Sequence, residues 1–141
     1  MPGVNSRRVW IGAVGGGVVW FLWSLLIGFT LLMSRYQAAQ EAGHFLKEPR
    51  YPFFVAYWIV TIFIMSYVLS WLYASVRATR GVGPGTALKI GLMVGFIGGF
   101  PGALGGASWA PYSRMIPVGQ MLEMWVGAIL ATLVAGWLYR D

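Results

Sequence analysis

The chain has 141 residues, of which 58% are hydrophobic and 10% are charged, and its mean hydropathy is +0.69. A soluble domain carries about 25% charged residues, so this composition excludes an ordinary soluble domain and predicts a single integral membrane domain over residues 1–141. The formal net charge is +6, but the basic residues are scattered among short connections. We therefore expect contact with membrane lipids and no nucleic-acid partner. The absence of cysteine excludes disulfides and cysteine-ligated metals.

The first apolar run covers about residues 9–33 and follows the paired Arg7 and Arg8. At about 1.5 Å per residue it is long enough to cross the ~30 Å hydrocarbon core, and it is too long for a secretory signal. The sequence predicts that this helix continues a few turns beyond the membrane. Trp20 and Trp23 lie deep in the run, although tryptophan favours the membrane interface. Their depth indicates contact with another helix, a lipid or a bound pigment.

The second predicted span covers about residues 53–76 and is hydrophobic on nearly all sides. Aromatic residues near both of its ends are typical of the belts that meet the two membrane surfaces. Three hydroxyl side chains interrupt the apolar run, and we expect each to donate a hydrogen bond back to its own helix. These residues are Thr61, Ser66 and Ser70.

The third span is predicted over about residues 86–108 and contains a glycine-rich stretch. A helix that stopped at Phe100 would be about 22 Å long and too short to cross, so the helix must continue through Pro101, which is expected to kink it. Small residues let membrane helices approach closely. The glycines form two ladders on different faces, which predicts a central helix with neighbours on two sides. The ladders consist of Gly91, Gly95 and Gly99, and of Gly98, Gly102 and Gly106.

The fourth predicted span covers about residues 118–139 and carries a third ladder of small residues, Gly127, Ala131 and Ala135. Lysine and arginine are more frequent on the side of the termini. Six of them lie in the N-terminus, the second connection and the C-terminus, and four lie in the first and third connections. The positive-inside rule then predicts that both termini are cytoplasmic.

Glu123 is the acidic residue predicted to lie inside a span, about one turn into the fourth helix. A carboxylate in hydrocarbon costs about 2.5–3.5 kcal/mol on insertion scales, so we expect it to face the protein interior with a partner. Candidate partners are Arg35, Arg114, Tyr112 and His44. Two interpretations stay open: a proton or cation site, or a buried ion pair or hydrogen-bonded acid that fixes the packing of the first and fourth spans.

The sequence carries no pattern typical of catalysis. Its serines and threonines have no base nearby in sequence, and it has no paired carboxylates of the glycosidase type. The single histidine, His44, lies in the first connection, which excludes histidine ligation of a haem or chlorophyll within the spans. We predict that the chain is not an enzyme and that it holds no metal or cofactor.

A set of positions in the second half of the chain carries a family resemblance. These positions are Tyr73 to Gly81, Gly91, Gly95, Pro101, Gly105, Ile116-Pro117, Glu123 with Gly127, and Leu138-Tyr139-Arg140. On the basis of these positions, the segment of about residues 70–140 resembles a group of small uncharacterised four-span bacterial membrane proteins. The resemblance implies a four-span fold and a location in the bacterial inner membrane, and no activity is attached to such families.

Together these features predict an all-α polytopic membrane protein, a four-transmembrane-helix bundle with a proline-kinked, glycine-rich third helix. The favoured function is an accessory or scaffold subunit of a larger membrane assembly, respiratory or photosynthetic. It would bind partner helices, lipids or pigments through glycine and aromatic faces. The alternative is a small homo-oligomeric transporter or channel protomer that uses Glu123 and the Pro101 bend. An enzyme acting on lipid is a weaker third interpretation.

Overall fold

A computed structural model of the chain describes residues 3–139. These residues fold into helices joined by short segments, and no strand occurs among them. In chain order the elements are α1 (Ser6–Ile27), a single π-helical turn (Gly28–Leu32), α2 (Met33–Glu41), α3 (Phe54–Arg80), α4 (Pro84–Trp109) and α5 (Met115–Leu138). The predicted all-α helix bundle is confirmed.

Four helical segments are long and apolar enough to cross a membrane. This number of candidate spans indicates a multi-pass membrane protein. The first of them joins α1, the π turn and α2 into one continuous helix, Ser6–Glu41, of 36 residues. It therefore extends beyond residue 33, in agreement with the predicted continuation. The third, α4, runs without interruption through Pro101. Its bounds are close to those predicted, because the helix does not stop at the proline.

The bundle has two ends that differ in how tightly they close. The terminal end holds the start of α1, the end of α5 and the turn 81–83, and the loop end holds the connections 42–53 and 110–114. Gly81 and Gly83 have φ angles of +96° and +129°, which residues with side chains rarely adopt. These glycines let the chain pass from α3 to α4 in a tight turn at the terminal end.

Tyrosine and arginine side chains close the terminal end. Tyr73 and Tyr139 are buried, and their hydroxyl groups accept hydrogen bonds from the backbone N–H groups of Gly83 (3.1 Å) and Asn5 (2.9 Å). The Arg77 guanidinium lies 4.7 Å from the centre of the Tyr139 ring and donates to the Tyr139 carbonyl oxygen at 3.2 Å. A cation over a ring and a satisfied carbonyl both stabilise this end of α5.

The fourth span, α5, lies at the centre of the bundle. It contacts α1, α3 and α4. Among the described residues α4 packs mainly on α5 and less on α3, and its backbone does not approach that of α1 closely. The prediction that the third span is central is therefore wrong. The reason is that α5 has small buried residues on several faces, while those of α4 follow one face. The small buried residues of α5 are Gly119, Gly127, Ala128, Ala131, Thr132 and Ala135.

The first glycine ladder of α4 forms its contact with α5. A Cβ atom on Gly91 would lie 2.6 Å from the Cα atom of Ile129, and one on Gly95 would lie 2.9 Å from the carbonyl oxygen of Trp125. Gly99, the third member, is also buried. The two backbones are thus so close that a methyl group does not fit between them, which is the packing that small residues permit in membrane helices.

The second glycine ladder of α4 makes only loose contact with the rest of the chain. Gly98 and Gly102 are exposed, and a Cβ atom added to Gly102 would meet no atom within 4 Å. Gly106 is half-buried and lies next to Pro117 at the loop end. The close packing of α4 therefore follows the first ladder, and the middle of the second ladder stays open.

Two serines join α3 to α1. Ser66 Oγ donates to the carbonyl oxygen of Ala13 and Ser70 Oγ donates to that of Val9, each at 2.8 Å. The prediction that these hydroxyls bond within their own helix is wrong for both serines. It is correct for Thr61, whose hydroxyl donates to a carbonyl one turn earlier in α3.

Glycines of α1 explain why the two serines bond across the interface. A Cβ atom on Gly16 would lie 2.6 Å from Ser66 Oγ, and one on Gly12 would lie 2.5 Å from Ser70 Oγ. Each glycine therefore leaves the space through which a hydroxyl reaches the backbone of α1. In lipid no water competes for the carbonyl, so these interhelical bonds are not lost to solvent.

We predict that Gly95→Val destabilises the bundle by about 1–3 kcal/mol, because the added atoms would overlap Trp125 in the contact between α4 and α5. The matched control is Gly105→Val, at a position where an added Cβ meets no atom within 4 Å. The measurement is unfolding of the purified protein in mixed micelles, followed by circular dichroism. Equal stability of the two variants would contradict the close contact of α4 with α5.

Candidate functional site

A cavity of about 930 Å³ lies between the four spans in the loop-end half of the bundle. All four spans contribute to its wall, among them Ser24 of α1, Trp58 of α3, Gly102 of α4 and Glu123 of α5. The connection 42–53 adds residues at the rim. A volume of this size is typical of sites that hold small molecules.

The cavity opens between α3 and α4. Phe54 and Val55 of α3 line it and are 52% and 67% exposed, and the exposed Gly98 and Gly102 of α4 line it from the other side. At the terminal end the same two helices meet in a buried cluster that includes Ala87. The helices are therefore in contact at the terminal end and leave a gap toward the loop end.

Glu123 brings a carboxyl group into the cavity wall. The residue is half-buried, and its Oε1 atom accepts a hydrogen bond of 2.6 Å from Ser24 Oγ. The indole of Trp58 approaches the same carboxyl group from α3. The carboxyl group is thus oriented by two other helices, which offsets part of the cost of an acidic group inside a membrane span.

The residues that the sequence suggested as partners of Glu123 lie elsewhere. The Arg35 guanidinium donates to the carbonyl oxygen of Leu31 at 2.7 Å within its own helix, and Arg114 is exposed just before α5. The Tyr112 ring contacts a phenylalanine of the first connection. Between residues 3 and 139 no ion pair joins Glu123 to a basic side chain.

Distance along the helices accounts for this difference. Glu123 lies eight residues into α5, about 12 Å from its start, so loop side chains at the end of the helix cannot reach it. Arg35 lies about 16 Å further along the first helix than Ser24, which is at the depth of the acid. Ser24 is a hydroxyl inside an otherwise apolar run, and this was the sequence signal for the true partner.

Trp20 and Trp23 contact α5 beside Glu123. The Trp20 indole Nε1 donates to the carbonyl oxygen of Glu123 at 3.1 Å, and the Trp23 indole Nε1 donates to that of Leu122 at 3.0 Å. Trp20 is 2% exposed. Of the three environments expected for these deep tryptophans, the structure gives a helix contact to both. Gly127 lies under the Trp20 indole, where a Cβ atom would overlap the ring.

The π turn forms part of the cavity wall. Within it the Met33 N–H bonds to the Gly28 carbonyl oxygen, five residues back, so the helix contains one residue more than a regular α-helical turn. Beyond the turn, the Tyr36 hydroxyl accepts a hydrogen bond of 3.0 Å from Gln120 Nε2 of α5. Tyr36 and Gln120 both line the cavity, so polar groups follow one side of it.

The chemistry of the cavity wall favours the binding of an apolar small molecule. Aromatic and aliphatic side chains and glycines make up most of it. Its polar part consists of hydroxyl, amide and carboxyl groups from Ser24, Tyr36, Gln40, Gln120, Glu48 and Glu123. Among residues 3–139 no group of three or more histidine, aspartate or glutamate side chains is placed to hold a metal ion. This arrangement can accept an apolar molecule and fix its orientation through the Glu123 carboxyl group, which lies between the helices.

Comparisons of the chain with protein-family models, curated protein sequences and solved structures found no match. The assignment of a function therefore depends on the cavity and its residues.

We predict that Trp20→Phe destabilises the bundle by about 1–2 kcal/mol, because it removes the indole donor to the Glu123 carbonyl and leaves a void over Gly127. The control is Trp109→Phe at a side chain that is 90% exposed, where we expect a change below about 0.5 kcal/mol. Unfolding in mixed micelles measures both values. A Trp20→Phe variant as stable as the control would show that the indole bond contributes nothing.

Proposed function

We propose that the chain is an accessory subunit of a larger assembly in the bacterial inner membrane, and that it holds a hydrophobic molecule for that assembly in the cavity between its helices. The molecule would be a lipid or a pigment that enters from the bilayer. The observation that supports this proposal most is the open cavity of about 930 Å³ with a largely apolar wall.

The small amount of protein outside the spans also supports the proposal. The connections 42–53, 81–83 and 110–114 are short, so the substantial concave surface of the described chain lies between membrane helices. A ligand would then reach the cavity through the gap between α3 and α4. The exposed Gly98 and Gly102 leave room in this gap for a chain of the ligand or for a helix of a partner.

The orientation with both termini in the cytoplasm is part of the proposal. It is supported by the excess of lysine and arginine on the terminal side. The location in the bacterial inner membrane is supported by the resemblance of residues 70–140 to small bacterial four-span proteins. In this orientation the loop end, and the cavity with it, would face the outer leaflet.

We predict that Gly102→Leu fills the cavity mouth and reduces the lipid or pigment that co-purifies with the protein, while the bundle stays folded because an added Cβ there meets no atom within 4 Å. The control is Gly85→Leu, an equally open position at the terminal end. Native mass spectrometry and lipid extraction after purification in mild detergent measure the bound molecules and the associated subunits. A wild-type protein that carries neither a bound molecule nor a partner would refute the proposal.

A transporter or channel protomer is the second candidate, and the position of the Glu123 carboxyl group in the cavity wall favours it. Under the subunit proposal, the purified chain in vesicles should give no flux of protons or organic cations above that of protein-free vesicles, because a partner completes the assembly. The measurement is dye-monitored flux in vesicles with wild-type protein and with Glu123→Gln. Flux that the wild type supports and the variant lacks would replace the subunit proposal by the transporter.

A further inference from the structure

We propose that the cavity takes an organic cation, an apolar molecule with one positively charged head, and that Glu123 is the counter-ion of this head. The inference rests on the proposed function, because it names the class of molecule that the cavity holds. It adds a charge requirement, which the proposed function alone does not contain.

The distribution of charge in the chain carries the inference. The chain has ten lysine and arginine residues against four acidic residues. The cavity wall contains two of the acids, Glu48 and Glu123, and none of the basic residues that the structure describes. Arg35 adjoins the wall residue Tyr36, yet its guanidinium donates to the Leu31 carbonyl oxygen of its own helix. A wall that contains carboxyl groups and no basic side chain favours a cation over an anion.

The aromatic content of the wall agrees with a cation. Phe21, Tyr36, Phe45, Phe54 and Trp58 all line the cavity, and they come from the first span, the first connection and α3. The faces of aromatic rings attract positive charge, and this attraction is strongest where water is excluded. A carboxylate among aromatic rings is the chemistry that recognises quaternary ammonium and similar organic cations.

The geometry of the Glu123 carboxyl group leaves it able to pair. Ser24 holds the Oε1 atom in place, and a carboxylate has further acceptor positions on its two oxygens. A bare metal ion is a poorer candidate, because no cluster of three acidic or histidine side chains exists among residues 3–139. The volume of about 930 Å³ also exceeds what an ion alone would need and accommodates a bulky apolar body.

The test compares two ions that have the same shape and opposite charge, tetraphenylphosphonium and tetraphenylborate. Equilibrium dialysis against the full-length purified protein in detergent, with protein-free micelles as the blank, measures binding of each. We expect saturable binding of tetraphenylphosphonium and none of tetraphenylborate. Glu123→Gln should weaken the binding of the cation by roughly 30-fold or more, because it removes a charge from a partly desolvated pair. The matched control is Glu41→Gln, an exposed acid outside the cavity wall, which should bind as the wild type does.

A second variant keeps the test decisive if Glu123→Gln does not fold. Gln120→Lys places a fixed positive charge one turn from Glu123 at an exposed position of the wall, and it should abolish cation binding because it pairs with the carboxylate. Equal binding of the two ions to the wild type, or unchanged cation binding in Glu123→Gln and Gln120→Lys, would overturn the inference. If the cation does not bind but a neutral lipid still co-purifies and is lost in Gly102→Leu, the charge inference fails and the subunit proposal stands.

Discussion

The bundle depends on side-chain donors that reach the backbone carbonyls of a neighbouring helix. Ser66 and Ser70 do this from α3 to α1, and Trp20 and Trp23 do it from α1 to α5. Lipid tails offer these donors no hydrogen-bond acceptor, so each bond adds to the attraction between two helices, which apolar contact alone does not supply because lipid is equally apolar. Glycines make three of these bonds accessible, because a side chain at those positions would occupy the place of the donor.

This arrangement produces a molecule that is closed at one end and open at the other. At the terminal end, tyrosine hydroxyls and an arginine satisfy backbone groups at the starts and ends of helices. At the loop end, α3 and α4 no longer meet, and the space between them is the cavity. A rigid closed end and an open apolar space are suited to a protein that retains a bilayer molecule, which is why binding, rather than catalysis, is the proposed role.

Hydropathy and length predicted the helix class and the four spans, because the bilayer imposes both on any chain that crosses it. They did not predict which helix is central. Glycine ladders show that a face can be approached closely, but they do not say whether a helix of the same chain approaches it, and for Gly102 none does. The partner of Glu123 was missed because charge suggested arginines, whereas depth in the membrane selects Ser24.

The π turn changes the direction in which the later side chains of the first span point, and composition alone does not show this. A surplus residue in a helix advances everything after it by about 100° around the axis. Tyr36 and Gln40, which follow the turn, line the cavity in this rotated position. Shortening the helix by one residue would remove the π turn and rotate both side chains by about 100° away from their present positions in the wall. The shape of the cavity thus depends on the exact residue count of the first helix between Ser24 and Tyr36, and a chain of identical chemistry but different register would lose it.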